Sequence, residues 1–305
     1  MSDALNPRPV NLIDENSHLK KEESPFKLFV SRFTRNKPAT FGFILFCVLL
    51  IVCIAAALIT TYSPTKQSLS QALQPPSEKH IFGTDYLGRD LGARLLYGGR
   101  LSLTIGFLAV ALGLVIGIPL GALSGYYGGW IDIVLQRIAD ILLSFPSFLL
   151  ALTLVAILGV GVKNVVISVG ILAIPSFMRL IRGSVLSIRE MLYTEAAQCI
   201  GATNNRIIFK HILPNAMAPV IIQASLNMGY AISTAAGLGF LGLGVPPGTP
   251  EWGMMLGEAK NYLFSHPHIV TFAGIAIFLA IVSLNLIGDG LRDALDPRLK
   301  NLAVK

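Results

Sequence analysis

Glu195-Ala196-Ala197-Gln198-Cys199-Ile200-Gly201, followed by His211-Ile212-Leu213-Pro214-Asn215, is a polar, helix-forming island between two strongly apolar segments. A chain that merely turned back into a bilayer would need only a few turn residues. Here the whole stretch 189–215 is spent on an ordered element punctuated by Gly201, Thr203 and Pro214. Arg189 to Gln198 is compatible with a helix, and Gly201 is placed to close it in the left-handed conformation. Thr203 suits the N-cap of a second short helix running to Ile212. Pro214 is expected to end or redirect that helix. Two such helices read as a docking surface on one side of a membrane. Glu195 keeps a charge on that surface, and the small Ala196 and Ala197 allow a partner to approach closely. The competing reading is a plain amphipathic helix resting on lipid headgroups.

Composition places the island in a membrane protein. The 305 residues are 53% hydrophobic and 13% charged, with mean hydropathy +0.65, whereas soluble domains carry about a quarter charged residues. The net charge of +7 fits Lys and Arg that orient helices and meet anionic headgroups, and no nucleic-acid partner is expected. The three cysteines give no disulfide framework. Cys47 and Cys53 lie in an apolar run, and Cys199 lies in the island without a matching ligand cluster.

A span of about 20 apolar residues crosses the hydrocarbon core. Six are expected: Phe41 to Tyr62, Leu101 to Ser124, Ile131 to Gly159, Val165 to Ile188, Ala216 to Leu238 and Ile269 to Ile287. The predicted fold class is therefore an all-α polytopic membrane protein. It divides into a tail (1–40, disordered to about residue 25), a first span (41–62), an outer loop (63–100), a core (101–290) containing the 189–215 island, and a C-terminal tail (291–305). No small-residue cleavage site follows the first apolar run, so it reads as a retained anchor. Arg8, Lys20, Lys21, Lys27, Arg32, Arg35 and Lys37 put the N-terminus in the cytoplasm. Six crossings return the C-terminus there, with Arg292, Arg298, Lys300 and Lys305. Lys66, Lys79, Arg89, Arg94 and Arg100 in the outer loop are the exception, offset in part by Glu78, Asp85 and Asp90.

Ala109, Gly113, Gly117, Gly121 and Gly125 recur every four residues and form one small-residue stripe along the second span. Such a stripe lets another helix backbone come close, as static packing or as a sliding or pore-lining face. Asp132, Arg137 and Asp140 fall in the first turns of the third span. Arg137 and Asp140, three apart, are expected to form an interfacial ion pair. The centres of the other spans are nearly free of ionisable groups, which speaks against a proton- or ion-coupled carrier. In the outer segments, Gly83-Thr84-Asp85 offers a helix N-cap, and Glu251-Trp252-Gly253 is expected to begin an amphipathic helix at the interface. A membrane-embedded enzyme would need converging catalytic groups. His18, His80, His211, His266 and His268 form no His-Glu-x-x-His pattern, and His266 and His268 read as a solvated loop pair.

Glu195-Ala196-Ala197, then Gly201, then Leu213-Pro214 resembles the EAA loop of ABC importer permeases. The family often has Ile two positions before that Leu; here the position is His211, with Ile212 next. Phe82-Gly83-Thr84-Asp85 with Leu87-Gly88-Arg89-Asp90, Gly239 to Gly244 with Pro250-Glu251-Trp252-Gly253, and Asn285 to Pro297 resemble the second permease subunit of the peptide/nickel branch. The resemblance covers nearly the whole chain after about residue 25. It implies a multi-pass subunit of the bacterial inner membrane that pairs with a homologous second permease to form half of a translocation path. It implies two ABC ATPase subunits docked through 189–215, at Glu195, Ala196, Ala197, Gly201, His211, Leu213 and Pro214. It also implies an extracytoplasmic substrate-binding protein that delivers peptides, with nickel or glutathione as alternative cargo. No Gly-x-x-x-x-Gly-Lys-Ser/Thr loop is present, so no cofactor is expected in this chain, and ATP and Mg belong to the partner ATPases. An ATP-independent carrier or channel is the rival class.

Overall fold

The computed structural model describes residues 24–295. Outside the described residues lie the expected disordered tail, Arg8, Lys20, Lys21, His18, Arg298, Lys300, Lys305 and the Asp296-Pro297 end of the last motif. Among the described residues the fold is all-α, and the one sheet-like contact is an isolated bridge between Thr84 and Asp90. The helices are α1 (Pro25–Arg35), α2 (Lys37–Ile54), α3 (Ala56–Ile59), α4 (Leu91–Tyr127), α5 (Gly129–Ser144), α6 (Ser147–Leu158), α7 (Val162–Arg189), α8 (Leu192–Cys199), α9 (Asn204–Arg206), α10 (Leu213–Phe240), α11 (Trp252–Ala259) and α12 (His268–Leu295).

Five expected spans appear as continuous helices: α2, α4, α7, α10 with its upstream turns, and α12. The third does not. α5 and α6 meet at 92° across Phe145-Pro146. Pro146 cannot continue the backbone ladder and pushes Phe145 into an extended conformation, so one apolar run becomes two helices. The pair still carries the chain across. Asp132 near its start bonds Arg182 at the end of α7, and Gly161 just beyond its end donates to Gly244 O at 3.1 Å, past the far end of α10.

The small-residue stripe is the seam of the core. α4 packs more extensively against α7 than any other pair of helices. A Cβ on Gly117 would come within 2.9 Å of Ile174 O, one on Gly121 within 2.4 Å of Met178 O, and one on Gly113 within 2.6 Å of the Ala173 Cβ. The two backbones are therefore in contact, which a side chain would forbid.

At the N-terminal end of α4 the 63–100 loop folds into a buried polar cap. The helix N-cap is Asp90, not the expected Gly83-Thr84-Asp85 turn. Asp90 Oδ1 accepts from Ala93 N at 2.7 Å, and Oδ2 bonds His80 Nδ1 at 2.8 Å. Asp85 instead accepts from the Leu87 and Arg89 amides, both at 2.9 Å, because its side chain closes its own turn. Arg89 bonds Asp85 at 2.5 Å and Glu258 at 2.7 Å, and Arg94 bonds Glu258 at 2.9 Å. Two of the five basic residues that disturbed the charge-based topology, Arg89 and Arg94, are thus neutralised internally, each 1% exposed. Removing one partner of such a buried set costs about 3–5 kcal/mol.

α11 also departs from expectation. It is not a surface helix, for Trp252 is 1% exposed and Glu251 2%. Glycines make the socket: a Cβ on Gly253 would meet Ala236 Cα at 2.4 Å, and one on Gly99 would meet the Trp252 ring at 2.7 Å. Trp252 Nε1 donates to Leu95 O at 2.9 Å. Glu251 caps the helix through the Gly253 and Met254 amides at 3.0 and 2.7 Å and accepts from Ser102 Oγ at 2.7 Å.

Gly121→Leu or Gly117→Leu is expected to force α4 from α7, at about 1–3 kcal/mol or more for overpacking, and to abolish monodisperse protein after mild heating. Val115→Leu, on the 72%-exposed side of α4, is expected to behave as wild type in the same size-exclusion assay. Equal tolerance at all three positions would remove the stripe from the account of this fold.

Burial pushes the Glu251 carboxyl above its ordinary value of 4.5, against the opposing pull of its hydrogen bonds. A folded-state value above the unfolded one favours the fold below the unfolded carboxylate range, and the contribution is lost as pH rises through the raised value. Tm should therefore fall as pH rises above the ordinary carboxylate value of 4.5 more for wild type than for Glu251→Gln. Glu251→Ala leaves buried donors unpaired, at about 1–3 kcal/mol each, and should lower Tm throughout. Parallel Tm–pH curves for wild type and Glu251→Gln would contradict this role.

Candidate docking element and membrane cavity

The polar island forms a pinned, short helical unit. α7 stops at Arg189, and Thr194 Oγ1 donates to Ile188 O at 3.0 Å, which fixes the entry to α8. α8 ends at Ile200-Gly201. Gly201 has φ +80°, with Gly201 N donating to Gln198 O at 2.9 Å and Ala202 N to Ala197 O at 3.1 Å. These two bonds are the Schellman closure, which needs a left-handed residue at this position. Nothing lies within 4 Å of a Cβ built on Gly201, so the constraint is torsional rather than steric.

The second half differs from the sequence expectation. Thr203 precedes α9, but its side chain makes no capping bond. Pro214 neither ends nor redirects the helix, and the chain is helical from Asn204 to Phe240. The reason is a π-helical turn over Ile207–Ile212, in which Leu213 N reaches back to Ile208 O. That turn re-registers the ladder just before Pro214, which then occupies the first turn of α10, where no amide is required.

The unit has two faces. Ile207, Ile208 and Ile212 are buried against the core, and Ala197 joins them at 5% exposure. Ala197 therefore turns inward and does not lie on the presented surface with Ala196. The outward face carries Glu195 and Ala196, with Leu192 (83% exposed), Ile200 (85%) and Phe209 (70%) around them. His211 and Leu213 are half-buried, and Pro214 is exposed. Two tethers that the sequence reading missed tie the unit to the end of α4. Arg189 Nη1 donates to Tyr126 O at 3.1 Å, and Tyr126 Oη donates to Asn204 Oδ1 at 2.9 Å. In sequence, Tyr126 and Arg189 look like ordinary interfacial anchors, so nothing marks them as partners.

The expected Arg137–Asp140 ion pair is present, at 3.9 Å and largely exposed. Asp140 also pairs closely with Arg179, and Asp132 accepts two bonds from Arg182 at 2.6 and 2.7 Å. The planar guanidinium matches the carboxylate in a two-point contact, so α5 is also locked to α7, which the sequence reading did not show.

Midway along the bundle, α4, α7, α10 and the α5–α6 break enclose a cavity of about 270 Å³. Its polar lining is Ser147, Ser176, Asn227 and Tyr230, with no ionisable carboxylate, amine or imidazole among its wall residues. Asn227 Nδ2 is buried and has no partner among the described residues. The cavity can offer neutral hydrogen bonds to a polar solute. Among the described residues, no group of three His, Cys, Asp or Glu side chains could hold a metal. The His266 and His268 rings are 6.2 Å apart.

Residues 117–301 match the family model described as the binding-protein-dependent transport system inner membrane component. Residues 24–76 match the N-terminal transmembrane domain of oligopeptide transport permease C. The chain is 48% identical to the dipeptide transport system permease protein of Alkalihalophilus pseudofirmus over 91% of each chain. It is 45% identical to the di/tripeptide transport system permease protein of Pseudomonas aeruginosa and 42% identical to the glutathione transport system permease protein of Pectobacterium atrosepticum. Each of these alignments covers 92% of this chain and 94% of the relative. The fold is similar to a chain of the inward-facing MetNI methionine ABC transporter, with TM-score 0.53 and 20% identity over 67% of this chain and 97% of that one. Five membrane-length helices and a bent apolar pair, a glycine-sealed core and a tethered helical unit are thus found in a chain that belongs to the binding-protein-dependent transport system inner membrane components, a multi-pass permease subunit of a bacterial ABC importer.

Proposed function

We propose that the 189–215 unit docks ATPase subunits and that this subunit moves peptides inward, as half of a path completed by a homologous second permease. The observation that carries the reading is the outward face of α8, where an exposed apolar and small-residue surface is held on a helix closed by Gly201 and tethered to α4. Exposed apolar residues grouped on a rigid element are what a protein partner covers. No phosphate-binding Gly-x-x-x-x-Gly-Lys motif is present in the chain, so nucleotide chemistry is assigned to the partners, which would bind ATP and Mg. Lys27, Arg32, Arg35 and Lys37 precede the first span, and Arg179, Arg182, Arg189, Arg206 and Lys210 gather near the docking unit. By the positive-inside rule both lie on the cytoplasmic side. The buried polar cap then faces outward, where a substrate-binding protein would deliver cargo.

Peptide cargo is supported by the relatives, whose printed substrates are dipeptides, di/tripeptides and glutathione, itself a peptide. The uncharged cavity of Ser147, Ser176, Asn227 and Tyr230 agrees with passing amide groups rather than binding a metal cation. In the assembly, ATPase closure would push α8, and the tethers through Arg189, Tyr126 and Asn204 would carry that displacement into α4 and α10.

Ala196→Arg is expected to insert normally and to weaken retention of the ATPase by at least about tenfold, with loss of ATP-driven dipeptide uptake. Gly201→Ala should have a milder effect, because the left-handed torsion costs about 1 kcal/mol without a clash. Ala197→Arg should instead lower the amount of folded protein, since that position is buried. The measurements are membrane abundance, ATPase retained after detergent extraction, and uptake. An Ala196→Arg protein that keeps both ATPase and uptake would make 189–215 an ordinary surface segment.

A further inference from the structure

A second cavity, of about 770 Å³, lies on the side of the bundle between α2, α4 and α10. Its walls are Phe46, Leu50 and Cys53 of α2, Leu103 and Phe107 of α4, and Met228 of α10. Ile54, Arg100 and Thr104 stand at one end. Arg100 donates from Nε to Cys53 O and from Nη2 to Ile54 O, both at 2.6 Å, and so caps the last carbonyls of α2. These two bonds leave three of its five donor hydrogens. Among the described residues, no carboxylate lies within ion-pairing distance of Arg100, in contrast to Arg89 and Arg94.

The dimensions indicate what fills such a groove. From Ile54 to Phe46 it runs eight residues down α2, and from Arg100 to Phe107 seven residues down α4. At 1.5 Å per residue this is about 11–12 Å of apolar channel. One leaflet of the hydrocarbon core is about 15 Å deep. With Arg100 taken at a lipid headgroup, a channel of this length would carry an acyl chain most of the way to the bilayer midplane. At its mouth stands a cation with no carboxylate partner among the described residues, its guanidinium 4.8 Å over the Tyr97 ring, and its floor is apolar.

We propose that this groove holds one anionic phospholipid, with its phosphate against Arg100 and an acyl chain between α2 and α4. Guanidinium matches phosphate geometry, and a net negative headgroup supplies the counter-charge that no side chain provides. The lipid acts as a wedge between α2, the first span, and the α4–α7 core. This site is independent of the docking reading, because it lies at the opposite end of α4.

The test uses the assembled importer, purified and delipidated in detergent, then titrated with phosphatidylglycerol or phosphatidylcholine, with bound lipid counted by native mass spectrometry. One phosphatidylglycerol is expected to be held at least about tenfold more tightly than phosphatidylcholine. Arg100→Gln should erase that preference. Thr104→Trp, at an exposed position on the groove wall, should fill the channel and lose the lipid while Arg100 remains. Arg100→Gln also removes the α2 cap, so if it yields no complex, Thr104→Trp decides alone. Unchanged phosphatidylglycerol retention in Thr104→Trp overturns the site. Equal retention of the two lipids by wild type overturns the headgroup assignment. A disulfide between Phe107→Cys and a cysteine introduced in the partner permease would show that protein covers the groove, and would overturn the proposal as well.

Discussion

The contact on which the structure depends is the approach of two backbones along the α4–α7 seam. Between helices in lipid there is no hydrophobic driving force, so close packing and the polar contacts it permits must hold the bundle together. Gly113, Gly117, Gly121 and Gly125 supply that closeness. With α4 and α7 in register, Arg182 reaches Asp132, Arg179 reaches Asp140 and Arg189 reaches the last carbonyls of α4. Separating α4 from α7 by one side chain would pull Arg189 away from the last carbonyls of α4. The cavity between α4, α7 and α10 owes its walls to the same seam.

A second use of glycine appears toward the N-terminal end of α4. Gly98 and Gly99 on α4, Gly239 on α10 and Gly253 on α11 bring three helices and Trp252 into one packed knot. Glu251 inside it is an expensive residue to bury, and it is held by two amides and one hydroxyl. Such a fully bonded polar centre specifies one arrangement of α11, where an apolar residue would allow several.

Much of this was legible in the sequence because it rests on local patterns. Apolar length announced the spans, the four-residue repeat announced the seam, and Gly201 announced the closure of α8. What was not legible depends on distant partners or on competition between neighbours. Arg89 and Arg94 find Glu258 across 169 and 164 residues, and no local rule links them. Ala196 and Ala197 are the same residue type, so only the helical phase set by the core decides which one faces out. Trp252 beside Glu251 has the composition of an interfacial helix; the neighbouring glycines were the available sign that it is buried. Pro146 was visible, but apolar residues on both sides of it, Ile141 to Leu143 and Phe148 to Leu150, hid the bend. The π turn before Pro214 depends on packing of Ile207, Ile208 and Ile212 that sequence does not display.

The length of α4 has a mechanical consequence. Its 37 residues span about 55 Å at 1.5 Å per residue, against about 30 Å of hydrocarbon. Both ends therefore stand clear of the lipid. One is clamped in the cap of His80, Asp90 and Arg94, and the other is grasped by Arg189 and Asn204. A helix stretches very little, so a beam gripped at both extremities moves by tilting, by turning, or by bending at Pro119, where the ladder lacks an amide. In the proposed importer, the state of one aqueous compartment then reaches the other as an angle, without any relay of side chains through the bilayer.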